Sequence, residues 1–485
     1  MIQSLHILRK DIRHLWVDLT LYVALLVAFS VVMPNIWGET NGLNPALAIF
    51  AGLLKILIPV FWLVLIARLI HDESLVGDQQ FWITRPYTWG SLVGAKLLFI
   101  VLCMVLPFAL MQWTLLLQAG LNPLHAMGGQ LTTLLYFALW VWLPFIAVAS
   151  VTSTIQRMFM SMLAAVIFWG AVLTMLGSSI GPRMTPPYTV DIFVILSGGL
   201  LIGILLYQYA TRDTLRSRIA LVGTTALFVG LFWCFVAAGI PGPANMLIRH
   251  HYAVSTNPSL RLVFDPSLPP SKDAQSFRIG KIVTMHLPVE MHGLDDADQL
   301  DDKGVSFTVD APGYHYASPW RPLYSNEHDS RMMLFIPQNV LGRVHGSKVR
   351  MHLSVVATRT VPSASQVITA AAHFDLPGNG SCKVLPEVPG NLRCRFPFQR
   401  SQRIAIKGYV GTAPCGSSGP THPGIGMVSA RSPEISIDPL TQMSLPLGGT
   451  VCPGTQLTFV AYHPTENFRL ELDIPEVSLD QYVAH

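Results

Sequence analysis

The sequence predicts an α-helical membrane domain of about seven transmembrane helices. An N-terminal amphipathic interfacial helix opens it, and an all-β extracytoplasmic domain of one or two antiparallel β-sandwiches follows it. Three observations carry this fold class. The 485-residue chain is 51% hydrophobic and only 12% charged, about half the charge of ordinary soluble domains. The charge is also unevenly spread, with 12 Lys and Arg and 8 Asp and Glu in residues 1–240 against 20 and 20 in 241–485. Long apolar runs fill the first part, and short alternating runs fill the second.

The opening segment "SLHILRKDIRHLW" places Leu5, Leu8, Ile12 and Leu15 at helical spacing, with Arg9, Lys10 and Arg13 largely off that face. Residues 1–15 therefore read as an amphipathic helix at a membrane surface, the simpler alternative being the start of the first span. No Ala-x-Ala-like site follows the first apolar run, which is expected to stay in the protein. The membrane domain is placed at 16–240. Its runs lie at about 16–34, 46–70, 92–117, 129–151, 158–179, 190–210 and 218–240, each near the ~20 residues a bilayer crossing needs. Gly198, Gly199 and Gly203 in the sixth run would let helices approach closely.

Lys and Arg orient the spans. With the N-terminus inside, Arg9, Lys10, Arg13, Arg68, Arg85, Lys96, Arg157, Arg212, Arg216 and Arg218 fall on the inner side and only Arg183 outside. Seven spans then deliver the remainder of the chain to the outer side. The expected location is a bacterial cytoplasmic (inner) membrane, with a cytoplasmic N-terminus and a periplasmic C-terminal domain. Lys55 reads as the only basic residue embedded in a span. It is a candidate functional charge facing a polar path; alternatively its stem snorkels to the outer interface.

After Pro241 the runs shorten. Residues 241–275 read as a linker and 276–485 as the β-rich domain, with "KVRMHLSVVATRTV", "NLRCRFPF" and "FRLELDIPEV" among its strands. Cys103 and Cys234 lie in apolar runs and read as packing residues. Cys382, Cys394, Cys415 and Cys452 all fall on the outer side, where oxidation is allowed, so two disulfides are expected. A Pro-Gly-Asn turn between Cys382 and Cys394 favours that pair, leaving Cys415 with Cys452.

Chemical motifs are few. The chain has no phosphate-binding Gly-x-x-x-x-Gly-Lys-Ser/Thr loop, no His-Glu-x-x-His and no Cys-x-x-Cys. The basic residues form no nucleic-acid patch. Histidines are scattered over the outer domain, so neither a catalytic centre, a metal site nor a cofactor is expected.

The one elaborate polar stretch lies between the second and third spans: "HDESLVGDQQFWITRPYTWGSLVGAKLLF". Phe81, Trp82 and Trp89 offer rigid anchors, and Arg85-Pro86 supplies a cation and a helix stop. Aromatics with Arg at a polar surface suit a protein contact; equally, they suit an interfacial belt. The stretch resembles the cytoplasmic loop of type-two ABC exporter permeases, the membrane subunits of bacterial ATP-binding-cassette transporters. In those proteins an acidic-Gly-Asp segment leads into Phe-Trp, Thr-Arg-Pro and Ala-Lys-Leu-Leu. The similarity covers roughly residues 1–210 and includes the amphipathic opening.

That resemblance implies a non-catalytic permease that dimerises, with itself or a homologue, and binds cytoplasmic ABC ATPase subunits, which hold the ATP. The coupling role falls on Asp72, Glu73, Gly77, Asp78, Phe81, Trp82, Thr84, Arg85 and Pro86, which match the motif. The family plan has six spans with both ends inside, so a seventh span bearing an outer β domain departs from it. Two other readings stand beside transport: a membrane-anchored outer binding or signalling module, and a membrane enzyme.

Overall fold

The computed structural model describes residues 2–37, 45–72, 88–180, 189–232, 243–268, 282–295, 298–323, 331–371, 373–376, 380–384, 391–398, 405–410, 436–446, 451–452 and 454–483. They fall into two compact units. The first comprises Met1–Val166, Ile192–Ala226 and Ala364–Ala461, and the second Ile167–Asp191, Leu227–Ser363 and Tyr462–His485.

Helix α1 (Ile2–His14) breaks at Leu15 and gives way to α2 (Trp16–Ile36) and α3 (Pro45–His71). Helix α4 (Trp89–Phe99), a π-helical stretch (Ile100–Val105) and α5 (Leu106–Gln118) form one continuous rod. The same pattern repeats in α6 (Met127–Phe137), a π-helical stretch (Ala138–Trp142) and α7 (Leu143–Val151). Helices α8 (Ile155–Ile180), α9 (Thr189–Thr211) and α10 (Thr214–Phe232) complete the set.

Among the described residues seven helices are long and apolar enough to cross a membrane, as the sequence predicts. Their surfaces agree. Val23, Val27 and Val31 of α2, Ile49, Leu53 and Ile56 of α3, and Leu106, Leu110 and Leu117 of α5 are exposed. Apolar surface of this extent belongs in lipid rather than water.

The two π-helical stretches have a common cause. Pro107 and Pro144 sit one residue into the helices that follow. Proline offers no N–H and clashes with the carbonyl four residues earlier. A wider turn just before it relieves that contact. The polar groups thereby loosened still need partners, and Tyr22 provides one. Its hydroxyl donates to the Met104 carbonyl at 3.0 Å and accepts the Trp62 indole N–H at 3.0 Å. Around this relay Trp62 packs edge-on against Phe108, Phe137 and Trp142, at 5.2, 5.4 and 5.4 Å between ring centres.

In chain order the β-rich region contains α11 (Pro243–His251), β1 (Ala253–Val254), β2 (Arg261–Phe264), β3 (Ile282–Leu287), β4 (Val289–His292), β5 (Gln299–Ala311), β6 (Tyr314–Ala317), β7 (Arg321–Pro322), β8 (Met332–Pro337) and α12 (Gln338–Val344). Then come β9 (Lys348–Thr369), β10 (His373–Leu376), β11 (Gly380–Val384), β12 (Asn391–Pro397), β13 (Ala405–Val410), β14 (Leu440–Pro446) and β15 (Gln456–Ser478). The stretch read as a linker, 241–275, thus carries α11, β1 and β2, and it contributes Ile248, Tyr252, Leu260 and Leu262 to buried clusters.

In the first unit β10, β11, β12 and β14 make a four-stranded antiparallel sheet in that order. Cys382 lies directly opposite Cys394 in the β11–β12 pair and is bonded to it, as expected. Cys452 is also disulfide-bonded. Its expected partner Cys415, like Cys234, lies outside the described residues. Cys103 is free.

In the second unit β3 pairs with β8 and β2 with β4. A larger sheet orders as β1-β15-β9-β5-β6, with β7 against β5. Met285, Leu287, Val305, Phe307, Leu334, Met351, Leu353 and Phe468 are central to its core.

Candidate functional site

Of the nine residues expected to form the coupling loop, Asp72 is described. Glu73, Gly77, Asp78, Phe81, Trp82, Thr84, Arg85 and Pro86 lie outside the described residues. Both flanks of the loop are in place. Asp72 continues the last turn of α3 through its N–H to the Arg68 carbonyl, 3.1 Å. Thr88 begins α4 as its N-cap, its hydroxyl accepting the Ser91 N–H at 3.3 Å.

Helix α1 ties these flanks together. Ile7, Asp11 and Leu15 recur four residues apart and so share one face; all three are buried. An acid on that face needs a partner, and α4 supplies it. The Lys96 ammonium donates to Asp11 Oδ2 at 2.9 Å, and Asp11 and Lys96 are only 2% and 5% exposed. Two further pairs flank this one. Arg68 of α3 donates to Asp18 of α2 at 2.5 Å, and His14 Nε2 lies 3.1 Å from Asp72 Oδ2. Each pair joins the N-terminal helices to one side of the loop.

Of the apolar residues at helical spacing in α1, Leu8 and Leu15 are buried together with Ile7 and Asp11, whereas Leu5 and Ile12 are exposed. Basic residues other than Lys55 also lie within the long apolar helices. Lys96 lies inside α4 and Arg68 inside α3, each with a carboxylate. The legible signal was an acid near the end of one apolar run and a base near the end of another.

The same end of the helices holds a second polar arrangement. Helix α7 stops at Val151, leaving its last four carbonyls without helical donors. Side chains take up all four. Thr152 donates to Val148 at 2.9 Å, and His71 Nε2 lies 3.1 Å from the Ala149 oxygen. Because a carbonyl only accepts, this places the imidazole proton on Nε2. Gln208 donates to Ser150 at 3.5 Å and Arg218 to Val151 at 2.9 Å. A cation at a helix C-terminus also matches the helix dipole. Helices α3, α9 and α10 are thereby fastened to α7 beside the loop.

Lys55 belongs to the other end. It is exposed on α3, and its charge acts on Asp438, just before β14. Asp438 Oδ2 accepts the Trp37 indole N–H at 3.3 Å, and Oδ1 accepts the Leu440 N–H at 3.0 Å. Arg395 donates to the Trp37 carbonyl at 2.8 Å and stands over the Trp37 ring at 5.5 Å. Burial pushes the Asp438 carboxyl up, opposed by these hydrogen bonds and by Lys55 and Arg395. Phe398 fills the space beside Gly129, where a Cβ would come within 2.8 Å of it. The four-stranded sheet therefore sits at the helix ends remote from the loop.

Among the described residues no three His, Cys, Asp or Glu side chains come together in a metal-binding group. Comparison with known proteins found neither a matching family model nor a matching curated protein.

Proposed function

We propose that this chain is the permease subunit of an ATP-driven ABC transporter, an exporter, in a bacterial inner membrane. Separate cytoplasmic ATPase subunits dock on the stretch from Asp72 to Pro86, with Phe81, Trp82 and Arg85 as anchors. The chain itself performs no catalysis and needs no cofactor. The observation that carries the reading is the frame of two ion pairs and the His14–Asp72 contact around the flanks of a loop whose sequence resembles the permease motif. A loop tied to α1, α2, α3 and α4 moves those helices with it, which is what transmission from an ATPase requires. Outward movement of substrate follows from rocking of the spans in a permease dimer.

On this reading the N-terminus is cytoplasmic, and the β-rich region, as one or two sandwiches, is periplasmic. Leu5 and Ile12, exposed on α1, then lie in the membrane interface. The test is affinity purification in mild detergent with the partner subunits identified by mass spectrometry. Trp82→Ala removes an aromatic anchor worth about 2 kcal/mol or more, roughly thirtyfold in affinity. Arg85→Glu reverses a charge and weakens capture further. Capture of an ATPase that is insensitive to both changes would reduce the loop to an interfacial belt. The membrane-anchored binding module would then be the better reading.

A further inference from the structure

The second unit contains a buried cation without a counter-charge among the described residues. Arg321, on the short strand β7, is only 4% exposed. Its Nε and Nη1 are closed to solvent and have no hydrogen-bond partner. Its guanidinium stands over the Phe335 ring, 5.9 Å from Cζ to the ring centre, and feels the charge of Tyr316. Burial pushes its pKa down, and no carboxylate among the described residues opposes that shift.

A second unpartnered group flanks the same ring. Thr284 and Phe335 are directly paired in the β3–β8 ladder, so their side chains share a face. That face is opposite the one that carries Met285, Leu334 and Ile336 into the core. Thr284 is fully buried, and its hydroxyl has no partner.

A guanidinium does not shed its proton in proteins. Stranded donors in a dry site are costly unless an acceptor meets them. An anion with several oxygens would satisfy both Arg321 nitrogens, the Thr284 hydroxyl and the buried positive charge together. We propose that Arg321 and Thr284 form a binding site for a carboxylate or phosphoryl group, with Phe335 as its apolar wall. The site lies in the β-rich region and does not depend on the transport reading.

The test uses the full chain in mild detergent, dialysed to a binding plateau against radiolabelled inorganic phosphate or acetate, in separate arms at matched ionic strength. Saturable uptake of one or both is expected. Phosphate alone identifies a phosphoryl site, and acetate alone a carboxylate site. Arg321→Met should weaken uptake at least tenfold, and Thr284→Val several-fold. Arg321→Lys keeps the charge but loses the fork, so it should fall between wild type and Arg321→Met. Hydrogen exchange of residues 282–287 and 332–337 in the wild-type chain should slow with the bound probe, a readout that needs no variant. Absence of saturable uptake in both arms overturns the proposal. So does uptake by a folded Arg321→Met equal to wild type.

Discussion

Replacing Lys96 by Met removes an ammonium from between α4 and α1 while keeping the length of the side chain. The Asp11 carboxylate, 2% exposed, then loses the donor that stood 2.9 Å away. Removing one partner of a buried pair costs about 3–5 kcal/mol, because the other charge is left desolvated. Both residues make additional contacts, so the lower figure is the appropriate one. About 3 kcal/mol corresponds to roughly a hundredfold loss in the docked population of α1.

The geometry provides a reporter. A Cβ on Gly94 would lie 3.7 Å from Ser4 Oγ, so a Ser4→Cys, Gly94→Cys chain should crosslink readily under mild oxidation. Adding Lys96→Met should slow that crosslinking strongly. Adding Asp11→Leu as well should restore most of it, since no charge is then stranded. Equal crosslinking rates in the parent and Lys96→Met chains would refute the reasoning. The pair would then be a solvated contact with no hold on α1.

Cys382→Ala with Cys394→Ala opens a closure of 12 residues in sequence and should cost about 2–3 kcal/mol; faster proteolysis within 373–446 would register it. Asp438 has its folded pKa raised, so it holds its proton in the folded state to higher pH than in the unfolded chain. Its contribution to stability is therefore full below the usual carboxylate range and falls as pH rises through the raised value, then levels off. Subtracting the thermal midpoints of Asp438→Asn from those of wild type across pH should isolate that decline, and a flat difference would contradict it. Gly293 has φ +88°, and a Cβ there would come within 2.1 Å of the Ser259 carbonyl oxygen. Gly293→Ala should therefore cost more than the ~1–2 kcal/mol of the left-handed conformation alone, seen as lost hydrogen-exchange protection in β2 and β4.

Most of the helical layout is visible without coordinates, for a plain physical reason. A bilayer crossing needs about twenty apolar residues in sequence, and such runs are local features that no tertiary contact rewrites. The Cys382–Cys394 pair was legible on the same ground, since a turn twelve residues long brings its own ends together. The π-helical stretches carried a weaker sign, Pro107 and Pro144 in otherwise continuous apolar helices.

Run length and alternation alone mark out the division into apolar helices and alternating strands, together with a polar loop bearing a recognisable pattern. Which charges meet is set by how those elements pack. Asp11 and Lys96 are 85 residues apart, and Trp37 and Asp438 are 401 apart. Nothing in the local pattern of either residue names its partner, because a buried ion pair is specified by how two helices turn toward each other. The buried Arg321 was equally silent. One arginine among 32 basic residues looks like any other, until the fold removes water from its guanidinium with no carboxylate among the described residues to meet it.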